Sequence, residues 1–166
     1  MHWVDLIYFP ELVNELQTLD RRLDALAEAC EASGDPDAFG ILDDMEQVIG
    51  LGFFRCQHYM VRRRDTAKGA YVHGPRFRSY PYAMVINAGA NYWKHVDEWP
   101  DESELAPFQQ STLDVLLDAG ITHRDYRVSN LLYALHPDQR LSRLLPHLVD
   151  WRVAFDRNVA TTHVNG

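Results

Sequence analysis

The sequence predicts a mainly α fold, a single-domain antiparallel bundle of five or six helices with a short β-hairpin or basic loop around residues 59–80. Three observations point there. Apolar residues recur at spacings of three and four over most of the chain, the period of a helix with one buried face. Glycine and proline interrupt that period at Ser33-Gly34-Asp35-Pro36, at Pro100 and at Gly120, which divides the chain into helix-sized pieces. Finally, 166 residues at 46% hydrophobic can bury one sizeable core but not two cores and a linker.

Each element has its own warrant. From Pro10 to Ala32, Leu12, Leu16, Leu19, Leu23, Leu26 and Ala29 form one stripe, and Pro10 suits a first turn because its missing N–H has no helical partner there. The segment from Asp37 to about Met60 continues with Phe39, Leu42, Met45, Ile49 and Phe53, and Gly50 and Gly52 invite another helix to come close. Tyr59-Met60-Val61 and Tyr71-Val72-His73 read as strand ends around Asp65-Thr66-Ala67-Lys68-Gly69, hence the hairpin or ordered loop. A helix then runs from about Tyr82 to Trp99. Pro100-Asp101-Glu102-Ser103 stops it and starts the next, over 105–118, with acids placed well for its first turn. Val128, Leu131, Leu132 and Leu135 mark a further helix, and Leu141, Leu144, Leu145, Leu148, Trp151 and Phe155 a last one that Pro146 either kinks or begins.

Composition excludes several classes of function. Met1-His2-Trp3-Val4-Asp5 lacks a basic start followed by an apolar run, and no window approaches the roughly 20 apolar residues of a membrane span. A soluble, cytoplasmic protein with no membrane partner is the expectation. Cys30 and Cys56 stand alone, without CxxC or zinc-type spacing, so neither a disulfide framework nor a metal is expected, and no cofactor. The net charge of -8 is unevenly spread. Residues 53–94 carry Arg55, Arg62, Arg63, Arg64, Lys68, Arg76, Arg78 and Lys94 against the single acid Asp65, a local +7 that leaves -15 for the remainder. Phe53, Phe54, Tyr59, Tyr71, Phe77, Tyr80 and Tyr82 interleave with these cations, the composition used to hold single-stranded nucleic acid. Arg62, Arg63, Arg64, Lys68, Arg76 and Arg78 are therefore candidate RNA-binding residues. The same segment also reads as a basic loop that pairs with the acidic helices.

Helical spacing places Asn87, Asn91, His95 and Glu98 on one face, between Val85, Ala88, Tyr92, Val96 and Trp99, which are built for burial. Such a polar stripe needs hydrogen-bond partners, a partner chain or a ligand. Asn91-Tyr92-Trp93-Lys94-His95 resembles the R-N-x-x-x-H motif of HEPN domains, small helical bundles of toxin-antitoxin and phage-defence systems. Asn91 and His95 match that motif, whereas Ala90 stands in the Arg position. The resemblance implies a homodimer through the 82–99 helix and metal-independent action on RNA, with His95, Asn91 and Lys94 as candidate catalytic residues. An imidazole with a pKa near 6.5 suits 2'-hydroxyl chemistry. The alternative is a satisfied polar seam that fixes helix register, with Lys94 and Glu98 as a surface pair, in a non-enzymatic module that binds a partner protein as an antitoxin, immunity or adaptor subunit.

A second resemblance lies at His123-Arg124-Asp125-Tyr126-Arg127-Val128-Ser129-Asn130, which is similar to the H-R-D-x-x-x-x-N catalytic loop of protein kinases. Leu148-Val149-Asp150-Trp151 resembles the strand and Asp-Trp of aminoglycoside phosphotransferase-like kinases. That likeness implies Asp125 as base, with Asn130 and Asp150 as magnesium ligands. No Gly-rich loop precedes an ATP-anchoring lysine. His2, His58, His73, His136, His147 and His163 lack ligand-like spacing and are assigned no role.

Overall fold

The computed structural model describes residues 3–35, 40–64, 70–99 and 104–164, and six α-helices within them carry the fold. Helix α1 (Trp3–Ser33) and helix α2 (Ile41–Arg64) form an antiparallel pair, and α3 (Tyr82–Lys94) returns along α2. Helices α4 (Pro107–Asp118), α5 (Arg127–Leu135) and α6 (Leu145–Val164) close the bundle, with 3-10 turns at Ala70–Val72, Val96–Glu98 and Leu141–Leu144. The mainly α bundle predicted from the apolar period is the fold found. No helix among the described residues is long and apolar enough to cross a membrane.

Helix α1 buries Leu12, Leu16 and Leu23 as its spacing demands, but it begins at Trp3, so Pro10 lies inside it rather than in its first turn. An internal proline forfeits an N–H and crowds the carbonyl four residues back. The turns before it are held from outside: Tyr59 Oη donates to Asp5 Oδ1 at 2.7 Å, and the Phe9 and Tyr59 rings pack with centroids 5.4 Å apart. In α2 the residues Ile49, Phe53, Cys56 and Met60 are completely buried, a run of three- and four-residue steps that carries the helix through Tyr59-Met60-Val61. The strand end expected there is therefore helix, because the 3.6-residue period outweighs the local β preference of three residues. Asp37 to Phe39, the expected start of this helix, lie outside the described residues.

The hairpin is shorter and later than expected. Strand β1 (Arg76–Phe77) pairs antiparallel with β2 (Tyr80–Pro81), Phe77 opposite Tyr80, around a turn in which Arg78 takes φ 53°. Helix α3 ends at Lys94 rather than Trp99. His95 leaves helical geometry, and a 3-10 turn folds the tail back so that Trp99 meets the Tyr92 ring edge-on at 5.0 Å. Helix α4 starts at Pro107, where Gln109 Oε1 accepts the Ala106 N–H at 2.9 Å, and Pro146 falls in the first turn of α6.

At the centre, Ile49, Phe53, Ile86, Leu131, Leu132, Leu144, Leu148 and Trp151 are fully buried. Burying a side chain of this size contributes about 1.5–3 kcal/mol before entropy is counted. The glycines of α2 do permit close approach: a Cβ on Gly50 would fall inside the Trp93 indole, and one on Gly52 would lie 2.5 Å from Leu141 Cδ2. Two helix starts that lack a side-chain cap of their own receive one from another element. Glu46 of α2 accepts the Val128 and Ser129 N–H groups, each at 2.9 Å, and the Ser129 hydroxyl at the head of α5. Asp20 of α1, only 5% exposed, accepts Leu141 N–H at 2.7 Å and Ser142 N–H at 3.2 Å. A carboxylate in that position satisfies orphan donors and meets the positive end of the helix dipole.

Candidate functional site

The polar stripe of α3 faces α2. Gln57, 7% exposed, donates from Nε2 to Asn87 Oδ1 at 2.8 Å and to Asn91 Oδ1 at 2.7 Å, so one amide satisfies both asparagines and sets the register of the two helices. Ala90 is fully buried in the core. His95 stands at the end of α3, its Nδ1 2.9 Å from Glu98 Oε2. Glu98 thus partners His95 rather than Lys94, because the 3-10 turn takes it off the helical i+4 position. Lys94 instead extends over the Phe54 ring, its Nζ 6.0 Å from the centroid, and burial of its stem lowers its pKa. Helix α3 buries Ala83, Val85, Ile86, Ala88, Gly89, Ala90 and Tyr92 within the single chain, and its residues that stay partly or fully exposed are Tyr82, Met84, Asn87, Asn91, Trp93 and Lys94.

The basic residues are dispersed. Arg62 donates through Nε to His58 Nε2 at 3.1 Å, and its guanidinium lies 4.2 Å from the centroid of Tyr8. It sits eight residues along α2 from Phe54, the ring under Lys94, about 12 Å or two turns further toward the C-terminus of the helix. Arg63 and Arg64 are the last residues of α2, and Lys68 lies outside the described residues. Arg76 donates to the Ser79 carbonyl within the hairpin. Arg78 Nη1 donates to the Asp118 carbonyl at 2.7 Å and so closes the C-terminus of α4. Ser79 N–H in turn reaches Asp118 Oδ2 at 3.1 Å, which, with Arg78 and Arg76 nearby, holds that carboxyl below its ordinary range. Desolvation first, then the Arg62 and Arg55 charges, lower the pKa of His58.

The kinase-like segment is half loop and half helix: His123–Tyr126 form a loop whose four carbonyls are all taken, and Arg127–Asn130 open α5. Arg127 Nε donates to the His123 carbonyl at 2.9 Å, Tyr92 Oη lies 3.4 Å from the Arg124 carbonyl, Asn130 Nδ2 donates to the Asp125 carbonyl at 3.1 Å, and Asn130 N–H to that of Tyr126 at 2.9 Å. Arg127 is 2% exposed, with its guanidinium 5.1 Å from the Tyr92 centroid. Tyr126 takes φ 53°, a left-handed conformation unusual for a tyrosine, and it leads directly into α5. Asn130 therefore clamps backbone where the kinase resemblance implies a magnesium ligand. Leu148 to Trp151 lie in α6 rather than in a strand, with Trp151 Nε1 donating to the Ala70 carbonyl at 2.8 Å. Among the described residues no three His, Cys, Asp or Glu side chains gather as a metal site.

This loop forms one wall of a cleft of about 710 Å³ between the first turns of α2 and the end of α3. Trp93 and Tyr92 line it from α3, Tyr126 from the loop, and Asp43, Glu46 and Gln47 from α2, with Arg124 and Asp125 at the mouth. The Trp93 indole is fixed by a 3.1 Å hydrogen bond to Gln47 Oε1 and by its seat on Gly50. Glu46 has both oxygens engaged by α5, whereas among the described residues the carboxylates of Asp43 and Asp125 have no hydrogen-bonded or ion-paired partner. The cleft thus offers rigid aromatic surface beside two free anionic groups. Its volume lies within the range of small-ligand and side-chain pockets.

The kinase resemblance pointed to Asp125 for another reason, whereas Glu46, Gln57 and Asp20 were missed. A signal for those three existed, since each falls where the period allows an apolar residue: Asp20 follows Leu16 by four, Glu46 follows Leu42 by four, and Gln57 follows Phe53 by four. Comparison with known proteins found no matching family model, no matching characterised protein and no matching solved structure.

Proposed function

We propose that this chain is a non-enzymatic helical module that binds another protein, in the manner of an antitoxin, immunity or adaptor subunit, through the cleft between α2, the end of α3 and the loop before α5. The observation that carries this reading is the Gln57 amide shared by Asn87 and Asn91. It supports a packing role for the stripe, while Arg62 stands two helical turns along α2 from the Phe54 ring under Lys94, and among the described residues the hydrogen-bonded partner of the His95 imidazole is the anionic Glu98 rather than a charge-stabilising cation. The cleft instead matches a basic, arginine-bearing segment of a partner. A guanidinium stacks flat on indole and phenol rings and pairs with carboxylates such as Asp43 and Asp125, which share the cleft lining with Arg124.

The test uses a fluorescein-labelled, arginine-rich peptide followed by anisotropy. Binding should weaken tenfold or so, about 1.4 kcal/mol, in the Asp43→Asn/Asp125→Asn variant. It should persist in Glu28→Gln/Glu104→Gln, which removes the same charge at exposed positions elsewhere. Equal loss in both variants reduces the effect to net charge and removes the cleft from the account. RNA incubated in EDTA is the counter-probe, and cleavage that disappears with His95→Ala would return the stripe to catalysis.

One observation favours RNA binding as a second reading. Lys94, Phe54, His58, Arg62 and Tyr8 form a continuous ladder of cations and rings along α2, with the Phe54 and His58 rings parallel to 3°. Retention of RNA on that ladder should fall steeply with salt and with Arg62→Ala, and it needs no homodimer.

A further inference from the structure

His136 and His147 meet where α5 ends and α6 begins, and nothing in the cleft account uses them. Their Nε2 atoms are 3.1 Å apart while their ring centroids are 5.1 Å apart at an interplanar angle of 26°. The difference between those two distances is nearly twice the distance from an imidazole centre to its own nitrogen. The rings therefore approach edge first, with the two Nε2 atoms turned toward each other. Tyr82, the first residue of α3, covers the face of His147 at a centroid distance of 3.7 Å and an angle of 6°, and Phe77 of the hairpin packs on Tyr82 at 5.6 Å. The cluster ties together the hairpin, the start of α3, the end of α5 and the first turns of α6.

From this geometry we propose that His136 and His147 form a one-proton latch, a pH-sensitive joint that holds α5 to α6 while at most one of the facing nitrogens carries its hydrogen. In the closed latch one Nε2–H donates and the other Nε2 accepts, so the two rings take complementary tautomers. A single added proton can be placed on the outer nitrogen of the donor ring. A second, on the accepting Nε2, sets two N–H groups and two positive charges head to head, and the rings must part.

The surroundings do not relieve this. Asp138 is the acid near His136, but its carboxylate is held by Arg143 Nε at 2.9 Å, and Arg143 itself disfavours charge on His136. Asp150, on α6 and exposed, is the acid that acts on His147. Tyr82 presents a ring face rather than a charge. Among the described residues no carboxylate hydrogen-bonds either imidazole. Both rings are half-buried, and loss of hydration is the main influence that holds each below the ordinary pKa of 6.5.

Long-range ¹H–¹⁵N spectra of the imidazoles, assigned with His136→Gln and His147→Phe, test the latch directly. The expected result near pH 7.5 is one protonated and one bare Nε2 in the pair, followed on acidification by two coupled steps separated by more than about one pH unit. The second step should coincide with loss of native Leu132 and Leu148 signals. His147→Phe keeps a ring against Tyr82 but has no proton to accept, so its melting temperature should fall less between pH 7 and pH 5 than that of the unaltered chain. Two independent titrations near 6.5 with the fold intact would overturn the proposal, as would equal acid sensitivity in His147→Phe. If either variant fails to fold, the spectra of the unaltered chain decide alone.

Discussion

Glu46 shows how much a single side chain carries at the cleft. It supplies the acceptors for Val128 N–H, Ser129 N–H and the Ser129 hydroxyl, and α5 has no cap of its own. Glu46→Ala should lower stability by about 1–3 kcal/mol in denaturant unfolding, because two backbone donors lose their acceptor beneath the cleft. Glu46→Gln, which keeps one carbonyl acceptor, should lose less. Gly50→Ala tests a different residue-scale device: its methyl must displace the Trp93 indole from its seat against α2, breaking the hydrogen bond to Gln47 Oε1 and changing the tryptophan emission. Some of this was legible in the sequence. Gly50 and Gly52 announced a close approach, and the apolar period placed Phe53, Leu131 and Trp151 in the core. The partners were not legible, because Glu46 meets Ser129 across 83 positions and Asp20 meets Leu141 across 121, and periodicity reports which face is buried without reporting against what.

Helix α3 and its joint with α2 set the geometry of both proposed surfaces. Replacing Gln57 with Ala leaves the Asn87 and Asn91 carbonyl oxygens without their shared donor, at a cost of about 1–3 kcal/mol. Replacing Gln57, Asn87 and Asn91 together by apolar residues of similar size should recover much of that loss. A triple variant that retains the fold and the peptide binding assigns the stripe to packing, whereas one that folds but no longer binds gives it a recognition role. The position of this helix could be read from Val85, Ala88 and Tyr92, but its end could not. The 3.6-residue period runs on to Trp99 in the sequence, and only the contact of Trp99 with Tyr92 reveals that the chain has already turned. The hairpin was misplaced for a related reason: Tyr59 to Val61 have strand-forming side chains, yet Tyr59 and Met60 complete the buried face of α2.

At the scale of the whole molecule, acid sensitivity follows from the histidines. His58, His136 and His147 all have folded-state pKa values below the ordinary 6.5, with burial as the first cause in each. The unfolded chain therefore takes up protons that the folded chain refuses. The stability these groups contribute is complete above pH 6.5 and is lost as the pH falls below it. Asp118 and Asp138, held low by Ser79 and by Arg143, add a second loss only below their ordinary 3.8. Melting temperature against pH should thus decline in two stages, and a flat profile from pH 7 to pH 5 would exclude the first. The overall charge of -8 was plain from composition, but its meaning for function was not. The basic segment has the composition of a nucleic-acid site, and within it Arg78 closes α4 and Arg76 closes its own hairpin, while the acids Asp43 and Asp125, far apart in sequence, both line the cleft beside Trp93. Whether a partner enters there is answered most directly by titrating ¹⁵N-labelled protein with an unlabelled arginine-rich peptide and following the Trp93 indole N–H. Saturable shifts at Trp93 and Tyr126 that weaken in Asp43→Asn/Asp125→Asn are the predicted result. Shifts confined to His58, Arg62 and Lys94, or none at Trp93, would contradict the account.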